Sequence, residues 1–361
     1  MNMFKIINSF QTGGKWARIL KWSHREKSGP YSMDIIPTNV CNLKCRMCGA
    51  CYKNRVELSN KKLVSTIFDA YTLGTKVMTI TGGGEPFFYT QGIIEIMKTI
   101  KSLKIEGHIT TNGTLLTPKD VQKIVEIDWD EITFSLDSAY PQMHDYIRGV
   151  KGTFKKCVNS IQLFRYWKKK LRKNKPLLKI NTVITNKNYN NLENIVRLAN
   201  NLSCDEISFQ TLIITDNKMK KLELKKYEIV KFQKLIQNVE LKSKKLNIRT
   251  NLHDFILNPI IEKPEQLYQF LLSKRKIYTK NNLLLAPCFE PWTSVVIHSD
   301  GRVGPCPNIT EISTENINCS TLNQIWYGAS FNKIRKNILK RKLFMYCKNC
   351  CLPKILENLN I

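Results

Sequence analysis

The chain has 361 residues, of which 42% are hydrophobic, and its 57 basic residues outnumber its 29 acidic residues to give a formal charge of +28. This composition is ordinary for a folded protein and excludes wholesale disorder. No run approaches the roughly 20 apolar residues that cross a bilayer, and the basic N-terminus lacks the apolar core of a signal peptide. The sequence therefore predicts a cytoplasmic protein without a transmembrane segment.

Short β-branched segments alternate with amphipathic helical segments along residues 33–212. The predicted strands are 33–37, 77–81, 108–111, 131–136, 178–185 and 206–212. The predicted helices are 59–73, 92–103, 117–127, 153–171 and 189–202. This alternation predicts an α/β fold with a parallel sheet covered by helices, either as an open barrel or as a doubly wound sheet. In both architectures, ligands bind at the carboxyl ends of the strands.

Chemically active residue types follow four of the predicted strands. A cysteine-rich loop at 41–48 comes after the first strand, and a glycine loop at 82–86 comes after the second. Asn112 follows the third strand, while Ser135 and Asp137 lie at the end of the fourth. The sequence therefore predicts that cysteines, a glycine loop and polar side chains meet at one edge of the sheet.

Cysteine is the most informative residue type, with 12 copies. A reducing compartment keeps thiols reduced, so metal sites are expected rather than disulfides. Cys41, Cys45 and Cys48 have the spacing C-x3-C-x2-C, and Cys51 could add a fourth sulfur. Thiolates bind zinc, copper(I) or iron–sulfur clusters. Three thiolates on a four-iron cluster leave one iron open for a small molecule, whereas a structural zinc site needs a fourth ligand.

The segment CNLKCRMC at 41–48 resembles the cluster-binding motif of the radical S-adenosylmethionine (radical SAM) superfamily. Further segments match the family in the same order, namely TGGGEP at 81–86, TTNGT at 110–114, SLDS at 135–138 and HDYIRGVKGTF at 144–154. The resemblance covers about residues 30–215. It implies a partial (β/α)6 parallel barrel and an enzyme that uses S-adenosylmethionine (SAM).

The resemblance also implies roles for individual residues. Cys41, Cys45 and Cys48 would bind three irons of a [4Fe–4S] cluster, and SAM would chelate the fourth iron. The backbone at 83–85 would meet the SAM amino group, and Arg148 would meet its carboxylate. The full set of implied SAM contacts is Met47, Gly83, Gly84, Glu85, Asn112, Ser135, Asp137 and Arg148.

Six more cysteines lie in the last quarter of the chain. Cys288 and Cys306 have the pattern C-x12-G-x4-C, and Cys347 and Cys350 form a CxxC pair. This pattern resembles a shortened SPASM-type auxiliary-cluster domain. The resemblance implies one auxiliary [4Fe–4S] cluster on these four cysteines, with Cys351 as an alternative to Cys350. A zinc ribbon with the same ligands is the competing interpretation.

The C-terminal region has its own predicted elements. A strand pattern at 293–298 and a turn at 299–302 indicate a β-hairpin, and 322–342 has a helical pattern mildly interrupted at Gly328. Cys319 fits no ligand position. We expect a basic helical segment at 1–30, the radical SAM core at 31–215, a helical connection at 216–287 and a small iron–sulfur domain at 288–361.

Together these features imply radical chemistry, in which a 5′-deoxyadenosyl radical abstracts a substrate hydrogen. An auxiliary cluster that accepts the next electron would make the reaction a net oxidation. Only about thirty residues precede the first strand, which favours a small molecule, such as a sugar or aminocyclitol, over a peptide. A peptide maturase is the alternative. A flavodoxin or ferredoxin is the expected reductant.

The positive charge raises two further alternatives. Basic runs such as 168–175 fall mostly on helical patterns, where lysines form a solvated face. They could instead attract nucleic acid, as in an RNA-modifying enzyme, a partner that we do not favour. A non-enzymatic zinc or iron–sulfur protein is the last alternative.

Overall fold

The described residues of the computed structural model form a nine-stranded sheet. The structure describes residues 14–49, 54–89, 92–214, 216–255, 288–307 and 315–340, together with residues 342, 344 and 347. The strands are β1 Ser32–Ile35, β2 Val77–Ile80, β3 Glu106–Thr111, β4 Glu131–Ser135, β5 Leu177–Ile184, β6 Glu206–Thr211, β7 Arg249–Thr250, β8 Ser294–Ile297 and β9 Val303–Gly304.

The strands are ordered β7-β6-β5-β4-β3-β2-β1-β8-β9 across the sheet. Every neighbouring pair from β7 to β8 is parallel, and β8 and β9 pair antiparallel. The predicted α/β fold with a parallel, open sheet is therefore confirmed. The six strands predicted from the alternation all form, with ends that differ by one or two residues.

Helices connect the strands. Their bounds are α1 Lys15–Ser23, α2 Asn60–Thr72, α3 Ile93–Ser102, α4 Pro118–Glu126, α5 Pro141–Arg148, α6 Thr153–Lys170, α7 Leu192–Asn201, α8 Lys226–Lys245, α9 Glu290–Thr293, α10 Leu322–Tyr327 and α11 Ala329–Leu339. Local signals fix several of these ends. Ser59 accepts a hydrogen bond from the backbone N–H of Lys62 to cap α2, and Thr117 caps α4 with Pro118 at its first position.

The two faces of the sheet differ in chemistry. Strands β1 to β6 are neighbours in chain order, so right-handed crossovers place their connecting helices on one face. Residues such as Met78, Ile109 and Phe134 are fully buried in the core that the strands share with these helices. The opposite face, which we call the inner face, carries the polar residues Asp34, Thr79, His108, Thr133, Asn181 and Ser208.

The predicted C-terminal hairpin forms, but it is not a separate sheet. Strand β8 pairs with β1 in parallel, so that Ser32 aligns with Ser294 and Ile35 with Ile297. The hairpin therefore extends the main sheet beyond β1. The predicted helix at 322–342 is two helices, because Gly328 has an extended backbone that ends α10 and begins α11.

No helix among the described residues is both long enough and apolar enough to cross a membrane.

Candidate functional site

Three cysteines lie together in the loop that follows β1. Cys41 and Cys45 are partly buried, and Cys48 is exposed. Burial raises the pKa of Cys41 to about 11, and the nearby sulfurs of Cys45 and Cys48 add to this shift. Burial and the two neighbouring sulfurs therefore oppose the ionisation of Cys41. A bound metal cluster supplies the positive charge that turns such thiols into thiolate ligands.

The Asn112 side chain holds the cysteine loop in place. Its amide nitrogen donates to Oδ1 of Asn42 over 2.9 Å and lies 3.8 Å from the Sγ atom of Cys41. Its amide oxygen accepts from the backbone N–H of Thr114 over 2.9 Å and from the hydroxyl over 2.7 Å. Both ends of the amide are used inside the protein, so Asn112 positions Cys41. Its contact with SAM stays a prediction.

The carboxylate of Glu85 joins the loops after β2 and β3. One oxygen accepts from the hydroxyl of Thr111 over 2.6 Å, and the other accepts from the backbone N–H of Asn112 over 2.7 Å. Burial raises the pKa of Glu85, although these hydrogen bonds oppose that shift. The side chain is therefore a structural link, and the backbone rather than the carboxylate is the part of Glu85 that the sequence predicted to meet SAM.

The glycine loop packs directly on the cysteine loop. The backbone N–H of Glu85 donates to the carbonyl of Val40 over 2.9 Å. This N–H group belongs to the backbone segment that was predicted to meet SAM, and it already has a partner within the protein. A Cβ atom at Gly84 would collide with the same carbonyl, so this close approach requires glycine. At Gly83 a Cβ atom would meet only a methyl of Ile36 at 3.5 Å. Packing within the protein therefore leaves room at Gly83.

Asp137 and Arg148 form a buried ion pair beside the cysteines. The Nε atom of Arg148 lies 2.6 Å from Oδ2 of Asp137, and the side chain of Asp137 is fully buried. The pair is not aligned as a hydrogen bond, so it is held mainly by charge attraction. Burial alone lowers the pKa of Arg148, but Asp137 and Cys45 raise it overall. Another guanidinium nitrogen lies 3.8 Å from the sulfur of Cys45.

Helix α5, which was not predicted from the sequence, supports the cysteine loop. The carbonyl of Ile147 accepts from the backbone N–H of Arg46 over 2.9 Å. Gly149 ends the helix with φ of 72°, and a Cβ atom there would collide with the carbonyl of Lys44. A proline at the first helical position and a glycine after the last were the available signals.

Ser135 and Met47 occupy the remaining predicted positions. Ser135 is the last residue of β4, pairs with Asn181 of β5 and is partly exposed. Met47 lies in the cysteine loop and is also partly exposed. Both side chains are accessible to a ligand, and their contacts with SAM stay predictions.

The partly buried carboxyl group of Asp34 lies on the inner face. Asp34 on β1 aligns with Thr79 on β2, which aligns with His108 on β3. Burial raises the pKa of Asp34 to about 6, although a hydrogen bond from Thr79 opposes the shift. Glu290 raises the pKa further, whereas Lys15 and His108 lower it. The side chain nevertheless keeps some accessible surface on the inner face.

The raised pKa of Asp34 predicts a pH-dependent effect on the free energy of unfolding. Because the pKa of Asp34 rises from 3.8 to about 6 on folding, its stabilising contribution is present below pH 3.8 and is lost as the pH rises through about 6. The variant Asp34→Asn should therefore gain stability relative to wild type over this range, by at most about 3 kcal/mol. Urea unfolding at pH 4 and pH 7 measures this difference. The exposed control Asp254→Asn should show no such trend, and a wild-type protein that gains stability over this range relative to Asp34→Asn would contradict the assignment.

Three of the C-terminal cysteines share one small apolar cluster. Cys288, Cys306 and Cys347 all pack against the cluster that contains Ile19 and Trp292. Cys319 is exposed and is not among the residues of this cluster. The predicted ligand Cys350 and its alternative Cys351 lie outside the described residues, as does Cys51 near the first site. The three predicted auxiliary ligands that the structure describes thus all contact one apolar cluster, and their role as cluster ligands stays a prediction.

The donor chemistry of both sites suits iron–sulfur clusters. Each site collects three cysteine sulfurs, the ligand type that holds such clusters. Within the described residues, no three cysteine, histidine, aspartate or glutamate side chains are arranged to hold a single metal ion. Beside the first site, a Cβ atom at Gly83 would make only an ordinary contact with Ile36, so the close packing seen at Gly84 is absent at Gly83.

Comparisons with known proteins agree with the two sites. The model of the radical SAM superfamily matches residues 35–199, and that of the SPASM iron–sulfur cluster-binding domain matches residues 288–351. An AdoMet-dependent heme synthase of Methanosarcina barkeri is 29% identical over 46% of this chain and 46% of its own length. The mycofactocin maturase MftC of Mycolicibacterium smegmatis is 26% identical over 50% of this chain and 45% of its own length. The chain spans about half the length of the curated relatives it matches.

Solved structures share the fold. SuiB of Streptococcus suis bound to S-adenosylmethionine has a TM-score of 0.66 and 20% identity, covering 92% of this chain and 75% of SuiB. SuiB bound to the precursor peptide SuiA has a TM-score of 0.65 and 20% identity, covering 98% of this chain and 76% of SuiB. At this identity the similarity shows a common fold.

Proposed function

The chain carries a radical SAM domain over residues 35–199 and a SPASM iron–sulfur domain over residues 288–351, and on that premise we propose that it removes a hydrogen atom from a substrate and oxidises the substrate by two electrons. The proposal rests on the residues that meet at one edge of the sheet. There, the three cysteines, the glycine loop and the Asp137–Arg148 pair meet beside the polar inner face.

The residues of this edge have separate tasks. Cys41, Cys45 and Cys48 would hold a [4Fe–4S] cluster, and the backbone at Gly83 would approach the bound SAM. When bound, the cluster and SAM together supply a 5′-deoxyadenosyl radical, the species that attacks a C–H bond. The rest of the site must orient the substrate and exclude water and other hydrogen donors.

Arg148 would attract the carboxylate of SAM. Its guanidinium is buried next to Cys45 and is fixed by Asp137, which also accepts from the backbone N–H of Val183 over 3.0 Å. A guanidinium held in this way is already oriented before the ligand arrives, so little conformational entropy is lost on binding. Asp137 therefore acts as a positioning residue for Arg148.

The inner face would hold the substrate. Its partly accessible side chains are hydroxyls, the amide of Asn181, the imidazole of His108 and the carboxyl of Asp34. At the amino ends of the central strands, Lys179 lies 2.7 Å from Glu131 and 3.1 Å from Glu206. This ion-pair network places charged groups at the far end of the face from the cysteines. A polar substrate that hydrogen-bonds to the inner face fits these surroundings better than an apolar one.

The auxiliary site would complete the oxidation. Loss of a hydrogen atom leaves a substrate radical, which must lose one more electron and one proton to give a closed-shell product. Cys288, Cys306 and Cys347 would hold the iron–sulfur cluster that accepts this electron. Strand β8 begins six residues after Cys288 and pairs with β1, so the backbone connects the auxiliary site directly to the inner face.

The substrate that we propose is a peptide side chain. Relatives named as a sporulation killing factor maturation protein and a mycofactocin maturase support this class, as does the precursor peptide bound to SuiB. A sugar or aminocyclitol is the second candidate, because the hydroxyl and amide groups of the inner face would also bind a hydroxyl-rich ring. A flavodoxin or ferredoxin would supply the electron that starts the reaction.

Deuterium transfer tests the proposed reaction and its substrate class. Extract from cells of the source organism grown in deuterated medium is separated by size into a peptide fraction and a small-molecule fraction. The reconstituted enzyme with SAM and dithionite should transfer deuterium into 5′-deoxyadenosine from the peptide fraction. Transfer from the small-molecule fraction alone would favour the second candidate. Absence of 5′-deoxyadenosine altogether would contradict radical SAM chemistry.

The proposed auxiliary cluster predicts how much iron the protein binds. Anaerobically reconstituted wild type should hold about eight irons per chain, and the double variant Cys288→Ser/Cys306→Ser about four. The variant should still cleave SAM but yield little oxidised product. Cys319→Ser, at an exposed cysteine away from the cluster, is the matched control and should keep all the iron. A wild type with about four irons would contradict the auxiliary assignment.

A further inference from the structure

The carboxyl group of Asp34 lies on a strand that connects to both proposed cluster sites. Strand β1 leads into the cysteine loop, and it pairs with β8, which begins six residues after Cys288. In the sheet, Asp34 aligns with Thr79 of β2 on one side and with Val296 of β8 on the other. The side chains of Asp34, Thr79 and His108 all keep some accessible surface on the inner face. A substrate held by this face would therefore meet the carboxyl group.

A structural role alone does not account for an ionisable group at this position. Because burial raises the pKa of Asp34 to about 6, keeping the carboxylate ionised at neutral pH costs stability, and an asparagine of the same shape would avoid this cost. The basic side chains that act on Asp34 are paired with other carboxylates, Lys15 with Glu290 over 2.6 Å and His108 with Glu106 over 2.9 Å. A carboxyl group with a strongly shifted pKa that reduces stability is typical of a functional site.

The groups around Asp34 come from four elements. Glu290 of α9 raises the pKa of Asp34, whereas Lys15 of α1 and His108 of β3 lower it. Thr79 of β2 donates a hydrogen bond, which also lowers the pKa. The resulting carboxylate is a stronger base than an ordinary aspartate and is still ionised at pH 7. This combination is the one that a proton acceptor needs.

A series of polar side chains leads from Asp34 to the protein surface. Thr79 hydrogen-bonds to Asp34 and aligns with His108 on the next strand. The Nε2 atom of His108 lies 2.9 Å from Oε1 of Glu106. Because a carboxylate only accepts hydrogen bonds, Nε2 carries the hydrogen, and Nδ1 is the nitrogen that can take up another proton. The side chain of Glu106 is 56% exposed, so a proton that reaches it can pass to water.

The outer end of this series opens into a cavity of about 540 Å³ at the amino ends of β3, β4 and β5. Glu106 and His108 line the cavity, together with the first residues of the two other strands, Glu131 and Leu177. The cysteine loop and the glycine loop follow the carboxyl ends of their strands, at the opposite edge of the sheet. A proton can therefore leave the inner face without crossing the edge where SAM is proposed to bind.

We propose that Asp34 accepts the proton that the substrate radical loses, and that Thr79, His108 and Glu106 conduct this proton to the cavity at the amino ends of the strands. The inference rests on the proposed two-electron oxidation. After hydrogen abstraction, the radical carbon is bonded to an oxygen, nitrogen or sulfur atom that carries a hydrogen. The bond to that hydrogen breaks, and its proton goes to the carboxylate of Asp34. A double bond forms between the carbon and the heteroatom, and the one electron left over passes to the auxiliary cluster.

Infrared spectroscopy tests the proton acceptor without any turnover. The reconstituted full-length protein is titrated in the absence of substrate, and the C=O band of protonated carboxyl groups is followed. Wild type should show a band that disappears with a midpoint near pH 6 as the pH rises, and Asp34→Asn should lack it. Identical titrations of the two proteins would overturn the assignment of Asp34.

The yield of oxidised product tests the role in the reaction. Each protein is incubated with SAM, dithionite and the extract fraction that transfers deuterium, and mass spectrometry counts molecules that have lost two hydrogens. This count is divided by the amount of 5′-deoxyadenosine, which corrects for changes in electron supply with pH. In wild type the ratio should fall as the pH drops from 8 through 6. In Asp34→Asn it should be about a hundredfold lower at pH 8 and independent of pH, whereas 5′-deoxyadenosine should still form.

Two further variants test the path and the specificity of the effect. His108→Gln keeps a side chain that can donate to Glu106 but cannot carry a proton, so it should lower the ratio while the infrared band of Asp34 remains. A wild-type ratio in His108→Gln would overturn the path. The exposed control Asp254→Asn makes the same chemical change away from the inner face and should keep the wild-type ratio at every pH.

Failure of this inference differs from failure of the proposed function. A wild type that forms no 5′-deoxyadenosine, or that forms it without oxidised product, would overturn the two-electron oxidation and the proton path with it. If wild type oxidises the substrate and Asp34→Asn does so with the same ratio and the same pH dependence, only the role of Asp34 is overturned. A wild-type ratio that does not change between pH 8 and pH 5.5 would overturn that role without the use of any variant.

Discussion

Replacing any one of Cys41, Cys45 and Cys48 by alanine should abolish the reductive cleavage of SAM. Each sulfur would hold a different iron of the cluster, so the loss of one leaves one iron without its protein ligand. The expected result is a loss of 5′-deoxyadenosine to the level of an enzyme-free reaction. Anaerobic incubation with dithionite, followed by chromatography of the nucleoside products, measures it.

Two comparisons make this experiment decisive. Cys319→Ala changes an exposed cysteine outside both proposed sites and should cleave SAM as wild type does. Cys204→Ala changes a buried core cysteine and reports the effect of a packing defect alone. If one of the three variants kept a substantial fraction of the wild-type rate, that cysteine would not be a cluster ligand.

Replacing Asp137 by asparagine should strongly destabilise the protein as well as slow SAM cleavage. The change keeps the shape of the side chain but leaves Arg148 as a buried charge without its counter-charge. Breaking a buried ion pair in this way costs about 3–5 kcal/mol. Chemical unfolding of the anaerobically purified protein, followed by circular dichroism, measures the free energy.

A double variant distinguishes stability from function. Asp137→Leu/Arg148→Met replaces the whole pair by apolar side chains and should recover much of the lost stability, because no buried charge remains. It should not recover SAM cleavage, since the proposed carboxylate contact of Arg148 is gone. A double variant with wild-type cleavage would show that Arg148 has no role in binding SAM.

The sequence was sufficient to predict the central strands and the cysteine-rich edge. The β-branched run at 77–80 and the capping signals at Ser59 and Thr117 are local, and each produced the element expected. The cysteine spacing is also local, because eight residues contain all three sulfurs. Features of this kind depend on neighbours in the chain, and sequence reasoning finds them.

The partners of the site residues could not be predicted in the same way. The side chains of Glu85 and Asn112 bond to Thr111, Thr114 and Asn42, and these partners were not predicted. Short polar side chains can bond to a ligand or to a neighbouring loop with equal ease, and their residue type does not distinguish the two. Only the approach of the loops after β1, β2 and β3 decides between these roles.

Contacts between the two ends of the chain were also beyond sequence reasoning. The basic segment at the N-terminus gave no sign that Trp22 would stack on Arg335. In the run 168–175, Lys173 pairs with Asp128 over 2.7 Å and Lys168 donates to the carbonyl of Pro176 over 2.7 Å, and the interpretation of this run as a solvated face stays a prediction. Long-range packing depends on the assembled sheet, which brings together residues more than three hundred positions apart.

The pairing of β1 with β8 has a consequence for biosynthesis. During translation β1 emerges early, yet the strand that covers its outer edge is made 262 residues later. Until then, one side of the nascent sheet presents unpaired backbone groups beside a cysteine-rich loop, a surface that invites aggregation. Correct folding therefore depends on the synthesis of β8, and a transcript truncated before β8 should yield an insoluble product.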